Sequence, residues 1–255
     1  MTVVETPPTT YAVELDPTVY PESDGKPMAE NTEQFKWIVT IKENLEALFA
    51  ADANVFVAGY LLWYPVQFQP KIRRAPDAFV VFGRPKGRRG AYLQWQEDNL
   101  APQVVFEVLS PGNRVRELLD KFIFYQQYGV EEYYIYDPDT NELLGYQRSE
   151  HHLALIEPMQ EHVSPRLGIR FVLTDETLEI YRPDGKRFLT FVELEQQVAA
   201  AEQAAEQART EAEQARTEAE QARTEAEQAR TEAAAATARA ERLAARLREL
   251  GIEDA

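Results

Sequence analysis

Residues 103–125 read QVVFEVLSPGNRVRELLDKFIFY, which predicts a strand, a tight turn and a helix in succession. VVFEVL is apolar throughout except at Glu107, a pattern typical of a strand that is covered on both faces. SPGN supplies the turn residues, and a helix is predicted from PGNR onward. Gly129 stands where a glycine commonly ends a helix. The predicted apolar stripe of this helix consists of Leu118, Leu119, Phe122 and Ile123.

Upstream of this stretch, a first helix is predicted to begin near Ala29, with Asn31 or Thr32 as its cap. The segments NVFVAGYLLWYPV (54–66) and PDAFVVFG (76–83) are short β-branched and aromatic runs that predict two further strands. Downstream, EEYYIYDP (131–138) predicts another strand with a core YYIY tract, and several short strands follow up to about Tyr181. The apolar positions of the first helix recur at helical spacing: Trp37, Ile38, Ile41, Leu45 and Leu48.

The end of the chain has a different composition, with AEQARTE repeated every seven residues. Apolar residues from Phe191 to Leu250 alternate steps of three and four, which is the a/d pattern of a coiled coil. A single helix of about 60 residues would be about 90 Å long, more than a globular core can cover. We therefore predict an irregular arm (1–28), an α/β domain (29–187) and a coiled-coil helix (188–255).

The charges of the repeat favour a parallel pair. If Ala212 is an a position, glutamates occupy g and arginines occupy e, so that opposite charges face each other only in a parallel dimer. The alternative is a lone helix, because alanine at the central a and d positions buries little apolar area. The charged positions are Glu211, Glu218, Glu225 and Glu232 at g, and Arg209, Arg216, Arg223 and Arg230 at e.

The composition excludes several kinds of site. The chain contains no cysteine and only three histidines, which excludes disulfides, thiolate metal sites and a cysteine nucleophile. The start of the chain lacks a signal peptide pattern and no run of eighteen apolar residues occurs, so we expect a cytoplasmic protein without a membrane span.

The formal net charge of −16 disfavours nucleic-acid binding through bulk electrostatics, but one segment is locally basic. Between residues 67 and 91, Asp77 is the single acid among seven cations. These cations predict a phosphate-binding strip, with two solvated loops as the alternative. The seven are Lys71, Arg73, Arg74, Arg84, Lys86, Arg88 and Arg89.

Glu107 and Asp77 are the candidate metal ligands. A carboxylate inside a buried strand is costly unless a cation or several donors compensate it. Asp77 opens the neighbouring strand directly after Pro76, so the two acids can share a divalent cation. Sites with few oxygen ligands suit Mg²⁺ or Mn²⁺, which lower the pKa of bound water and neutralise phosphate charge. The alternative is a buried ion pair between Glu107 and Lys121 without a metal.

On the second helix, Glu117, Lys121 and Tyr125 follow each other at steps of four and form a polar line beside the apolar stripe. This spacing lets Lys121 project toward the strand that bears Glu107. A lysine there would orient a nucleophilic water or help to deprotonate it.

Taken in order, APDAFVVF, FEVLSPGNR, the helix with Lys121, and YGVEEYYIYDP resemble the Uma2-type restriction endonucleases of the PD-(D/E)XK superfamily. The resemblance covers roughly residues 20–185 and implies the superfamily's αβββαβ core. It implies Asp77 and Glu107 as metal ligands. It also implies Lys121 as the catalytic lysine, because Leu109 occupies the strand position where the superfamily usually carries it.

Two positions depart from the family. Glu117 stands where many members have aspartate, and Tyr60 stands where relatives have an acid. We expect Glu117 and Tyr125 to support the site from nearby and Ser110 to hydrogen-bond close to it. The superfamily's optional helix acid corresponds to Glu30 or Glu33.

The resulting hypothesis is an enzyme that hydrolyses DNA phosphodiester bonds by means of a Mg²⁺-activated water. Asp77 and Glu107 would hold the metal ion, and Lys121 would position the water. The alternative is a nuclease-like domain that has lost activity and serves as a scaffold, with its coiled coil binding a partner. Metal binding and cleavage assays distinguish the two.

Overall fold

The computed structural model describes residues 19–25, 27, 29–112 and 115–249. The chain divides into two units, with the boundary between Val192 and Glu193. The predicted boundary at 187/188 lies five residues earlier. The predicted irregular arm falls largely on residues 1–18, which lie outside the described residues, and residues 19–25 contain no helix or strand.

The first helix, α1, spans Thr32–Leu48. It starts three residues later than predicted, because Asn31 adopts an extended conformation and its side chain accepts a hydrogen bond from the Gln34 N–H. This is the predicted cap at one of its two proposed positions. Ile38, Ile41 and Leu45 form the buried face, as their spacing indicates.

A six-stranded sheet forms the centre of the first unit, in the order β1-β3-β5-β6-β7-β8. β5 and β6 are parallel and the other neighbours are antiparallel. Along the chain, α1, β1, β3, β5, α2 and β6 follow the predicted order αβββαβ. The strands are β1 (Val55–Ala58), β3 (Ala78–Phe82), β5 (Val104–Val108), β6 (Glu132–Asp137), β7 (Glu142–Ser149) and β8 (His152–Leu155).

In the part of the chain that the structure describes, four short strands lie outside this sheet. β2 (Trp63–Tyr64) pairs in parallel with β4 (Tyr92–Leu93), and β9 (Arg170–Leu173) forms an antiparallel pair with β10 (Leu178–Tyr181). The segment that was predicted as one strand, 54–66, therefore contains two strands from different sheets. Tyr60, with a φ of 54°, lies between them, where the chain turns.

The sheet is covered on both faces, as the apolar character of β5 predicts. Val104, Phe106 and Val108 pack on the α1 side, whereas Val105 packs on the side of α2. Because side chains alternate along a strand, Glu107 faces the α2 side. Asp77 shares the parity of Phe79, which also packs there. Both acids are therefore directed toward the second helix.

The second helix, α2, spans Val115–Gln127, and Gly129 follows it with a φ of 95°. The predicted stripe is wrong in part, since Leu119 and Ile123 are exposed. The face that contacts the sheet carries Phe124 and Tyr125 instead, because these large rings fill the space beside Trp63.

The third helix, α3, spans Phe191–Glu249. Its first two residues belong to the first unit, and the rest of the helix lies in the second unit. Its 59 residues confirm the predicted helix. All described side chains from 194 to 248 are exposed in the single chain, including the a and d alanines. Repeat threonines donate to the carbonyl four residues earlier, for example Thr217 to Glu213. Among the described residues, no helix is both long enough and apolar enough to cross a membrane.

Candidate active site

Asp77 and Glu107 meet on adjacent strands. β3 pairs with β5 so that Ala78 lies opposite Phe106, which brings the preceding Asp77 opposite Glu107. The Val108 N–H donates to Asp77 Oδ2 at 2.7 Å. Asp77 is 5% exposed and Glu107 only 1%. Two carboxyl groups therefore lie next to each other inside the protein, where the charge of Glu107 raises the cost of ionising Asp77.

Lys121 and Tyr125 of α2 both donate to the carboxylate of Glu107. Lys121 Nζ lies 2.9 Å from Oε2, and the Tyr125 hydroxyl donates to Oε1. Tyr125 is fully buried, with its ring centroid 4.9 Å from that of Tyr133. The four-residue spacing of the helix thus places an ammonium and a hydroxyl on the two oxygens of one carboxylate.

These contacts leave the site short of positive charge. Burial, and next to it the charge of Glu107, raise the pKa of Asp77 well above its ordinary value. Burial by itself lowers the pKa of Lys121, but the charges of Glu107 and Asp77 outweigh it and the net pKa is raised. Lys121 is therefore an ammonium at neutral pH. One ammonium beside two buried carboxyl groups is a donor set that suits a divalent cation.

This arrangement predicts a specific pH dependence of stability when divalent cations are absent. A carboxyl group whose folded-state pKa is raised stabilises the protein most below its ordinary pKa, and this contribution is lost as pH rises through the folded value. We expect Asp77→Asn to gain stability relative to the wild type as pH rises above about 4, by about 1.4 kcal/mol for each pH unit up to the folded-state pKa of Asp77. Thermal unfolding in EDTA measures it. A stability difference that stays constant with pH would contradict the burial of an ionisable Asp77.

Gln34 and Glu30 complete the site from the start of α1. Gln34 Nε2 donates to the Val108 carbonyl at 2.8 Å, and the Glu30 N–H donates to Gln34 Oε1 at 2.8 Å. The Ser110 hydroxyl donates to the Glu30 carboxylate at 2.6 Å. Glu33, the other predicted helix acid, pairs with Lys36 on the exposed side of the helix. Of the two predicted acids, the structure brings only Glu30 to the site.

A cavity of about 540 Å³ opens above the carboxyl pair. Asp77 is among its lining residues, whereas Glu107 is not. Its wall combines cations and acids with neutral side chains that include Gln34, Tyr60 and Ser110. The charged side chains are Lys71, Arg73, Arg74, Arg116 and Lys121, together with Asp24, Glu30, Asp77, Glu117 and Asp120.

The predicted basic strip divides into two parts. Lys71, Arg73 and Arg74 line the cavity, as a phosphate-binding role requires. Arg84 and Arg89 both pair with Glu97, at 2.8 and 2.6 Å.

Arg84 is 4% exposed, and the Arg89 guanidinium also lies 3.9 Å from the ring centroid of Phe56. Lys86 donates to the Val55 carbonyl, and Arg88 is exposed away from the cavity lining. These four therefore do not belong to the cavity, and the ion pairs with Glu97 hold the loop after β3 in place.

Tyr60 occupies the position at which the resemblance implies an acid. Its side chain lines the cavity and its hydroxyl donates to the Pro27 carbonyl. No third acid stands there. Within the described residues, no group of three His, Cys, Asp or Glu side chains is arranged to hold a metal ion. A cation held by Asp77 and Glu107 would therefore keep several waters, which is usual for Mg²⁺.

Residues 24–176 match the family model "Uma2: Putative restriction endonuclease". The match covers more than half of the chain and includes all the side chains at the carboxyl pair. The chain belongs to the Uma2 family. This membership confirms the resemblance that implies Asp77, Glu107 and Lys121 as site residues.

Five chains of known structure are similar to this one. One is a "putative nuclease belonging to DUF820 from Anabaena variabilis ATCC 29413" with 14% identity, covering 55% of this chain and 74% of its own. The TM-score between the two structures is 0.40. No curated protein matches the chain.

Sequence reasoning did not single out Gln34 or Arg116 as site residues. Gln34 occupies a buried position of α1 with 7% exposure, and a polar residue at an apolar position of the helical pattern was the available signal. Arg116 lies on the cavity side of α2, five residues before Lys121 and next to Glu117. Only the placement of that helix against the cavity distinguishes it from a surface arginine.

Proposed function

We propose that this Uma2 protein hydrolyses DNA phosphodiester bonds with the help of Mg²⁺ or Mn²⁺, on a domain of the PD-(D/E)XK kind. The observation that carries the proposal is the buried pair Asp77 and Glu107, beside which Lys121 supplies one ammonium for two carboxyl groups. Hydrolysis by a metal-activated water needs such acids, and Lys71, Arg73, Arg74 and Arg116 on the cavity wall suit a polyanionic substrate.

The two carboxyl groups and the side chains that contact them have separate roles in this proposal. Asp77 and Glu107 would hold the metal ion, which supplies a water of lowered pKa and neutralises charge on the phosphate when bound. The Tyr125 hydroxyl and the Val108 N–H fix the orientation of the two carboxyl groups. Lys121 stays protonated, so it donates hydrogen bonds to the water or the phosphate oxygen and stabilises developing negative charge.

Cleavage assays test the proposal directly. Supercoiled plasmid, linear duplex and single-stranded DNA are incubated with the full chain in Mg²⁺, in Mn²⁺ and in EDTA. We expect new ends to appear with either cation and none in EDTA. If all substrates stay intact with both cations and calorimetry detects no cation binding, the chain is not a metal-dependent nuclease.

Phosphate recognition is assigned to Lys71, Arg73, Arg74 and Arg116 on the cavity wall. None of the four forms an ion pair with a carboxylate within the described part of the chain, so their charge is available to an anion. Arg73 is held in place by the Tyr64 hydroxyl at 3.2 Å. Local charge of this kind attracts DNA even though the whole chain carries −16.

Arg73→Gln is expected to weaken DNA binding. It should also make the slope of log K against log salt concentration less steep, by the contribution of about one phosphate contact. The loss should be similar for all DNA sequences, since phosphate contacts carry no sequence information. Fluorescence anisotropy across a salt series measures both quantities. Arg88→Gln is the matched control and should bind like the wild type. Equal effects of the two substitutions would show that only general charge matters.

A scaffold without activity is the second candidate, and Tyr60 is the observation that favours it. A tyrosine in place of an acid removes one oxygen ligand from the cavity wall. Restoring it with Tyr60→Asp distinguishes the two functions. An inactive wild type that gains cleavage upon this substitution would identify a domain that has lost its activity by this change.

We also propose that α3 pairs in parallel with a second copy of itself. The support is the heptad seam with glutamate at g and arginine at e. Ala219→Glu with Ala226→Glu places charge in the seam, and we expect the full chain to become monomeric in sedimentation experiments. Gln221→Glu with Gln228→Glu adds the same charge at c positions and should leave the dimer intact. A wild type that sediments as a monomer would rule out the pairing.

A further inference from the structure

An exposed phenylalanine stands on the loop that leads to the cavity wall. Phe68 is 83% exposed, which is more than any other exposed phenylalanine among the described residues. It lies in the segment PVQFQPKIRR (65–74), three residues before Lys71. Three residues of chain separate their α-carbons by at most about 11 Å.

The backbone holds Phe68 in an unfavourable conformation. Its φ of 63° lies in the left-handed region, where glycine or asparagine would be less strained than a bulky aromatic residue. The Phe68 N–H donates to the Tyr20 hydroxyl at 2.7 Å, and the Tyr20 ring packs 5.3 Å from both Tyr64 and Trp95. The side chain is therefore held outward by a built support and does not contribute to the core.

The same support continues into the cavity wall. Arg73 donates to the Tyr64 hydroxyl and to the Pro70 carbonyl, at 3.2 and 3.5 Å. Tyr64 thus contacts both the tyrosine that fixes Phe68 and the arginine that lines the cavity. An aromatic surface and a group of cations are consequently presented together, which is the combination that binds single-stranded nucleic acids by base stacking and phosphate pairing.

Resting on the proposed nuclease function, we propose that Phe68 stacks on an unpaired base of the DNA while Lys71, Arg73 and Arg74 bind its phosphates. A base inside an intact duplex offers no free face to such a ring. The substrate class is therefore DNA with at least one unstacked base: a single strand, a flap, or a duplex that is distorted beside the cleavage site.

Binding of fluorescein-labelled DNA to the full chain tests this, with Ca²⁺ supplying the divalent charge. A single-stranded oligonucleotide and its duplex are compared by anisotropy. We expect the wild type to prefer the single strand, Phe68→Ala to bind it about tenfold more weakly, and Phe68→Tyr to retain the affinity. Phe35→Ala, which removes an exposed aromatic ring from α1, is the matched control and should not change binding. Unfolding temperatures verify that each variant is folded.

The outcomes separate this inference from the proposed function. If Phe68→Ala binds like the wild type while Arg73→Gln is weakened, stacking is refuted and the nuclease proposal stands. If the wild type prefers the duplex, the proposed preference for unpaired bases is refuted and the nuclease proposal stands. If the wild type binds neither DNA, the inference and the proposed function both fail.

Discussion

Asp77→Asn is expected to lower the rate of Mg²⁺-supported DNA cleavage at least about a thousandfold, because the amide removes one of the two carboxylates proposed to hold the cation. The amide oxygen can still accept the hydrogen bond from the Val108 N–H, so the strand pairing should persist. Without divalent cations, the variant should unfold at a higher temperature than the wild type, because a buried ionisable group next to Glu107 is lost. Cleavage rates and thermal unfolding measure the two effects.

The opposite direction of these two effects makes the test specific. A residue with a purely structural role would lose stability and activity together. Asp139→Asn is the matched control, since it makes the same change on the exposed turn after β6 and should alter neither quantity. Normal cleavage by Asp77→Asn would contradict the assignment of this acid as a ligand.

Lys121→Met is expected to reduce cleavage about a hundredfold or more and to destabilise the fold by about 3 kcal/mol. The ammonium is the cation that compensates Glu107, whose side chain is 1% exposed, so its removal leaves a buried charge without its partner. For a domain of this size, the unfolding temperature should fall by roughly 6–12 °C. Thermal unfolding and single-turnover cleavage rates check the two values.

The double variant Lys121→Met, Glu107→Gln separates the structural role from the chemical one. Neutralising Glu107 removes the unpaired charge, so most of the lost stability should return while cleavage stays abolished. If the single Lys121→Met variant cleaved at the wild-type rate despite its lower stability, the lysine would be only an ion-pair partner of Glu107.

The sequence was sufficient to predict the order of the main elements and the meeting of Asp77 with Glu107. Both follow from local patterns: a strand with continuous apolar character must be covered on both faces, and acids on neighbouring strands can come into register. The placement of Lys121 followed because four residues are close to one helical turn, which fixed the side of α2 that Glu107 would contact.

Side-chain environments that depend on distant segments were harder to predict. Leu119 and Ile123 were expected in the core, but Phe124 and Tyr125 occupy it, because one helix has only one face for the sheet and larger rings bury more area. Arg84 and Arg89 were expected at a phosphate strip. Their partner Glu97 lies in a loop after β4 that no local pattern connects with them.

The turn at Tyr60 illustrates a third limit. The run 54–66 has β-branched and aromatic residues on both sides of Gly59, so it predicts a single strand although β1 and β2 belong to different sheets. The left-handed conformation of Tyr60 makes the change of direction, although tyrosine is not a residue that predicts it. Turns that are imposed by tertiary packing leave little trace in local composition.

The central claim is that Asp77 and Glu107 together bind a divalent cation, and calorimetric titration of Mn²⁺ into the full chain tests it most directly. We predict one binding event per chain for the wild type and loss of that event in both Asp77→Asn and Glu107→Gln. Binding that persists unchanged in both variants, or no binding by the wild type, would contradict the claim.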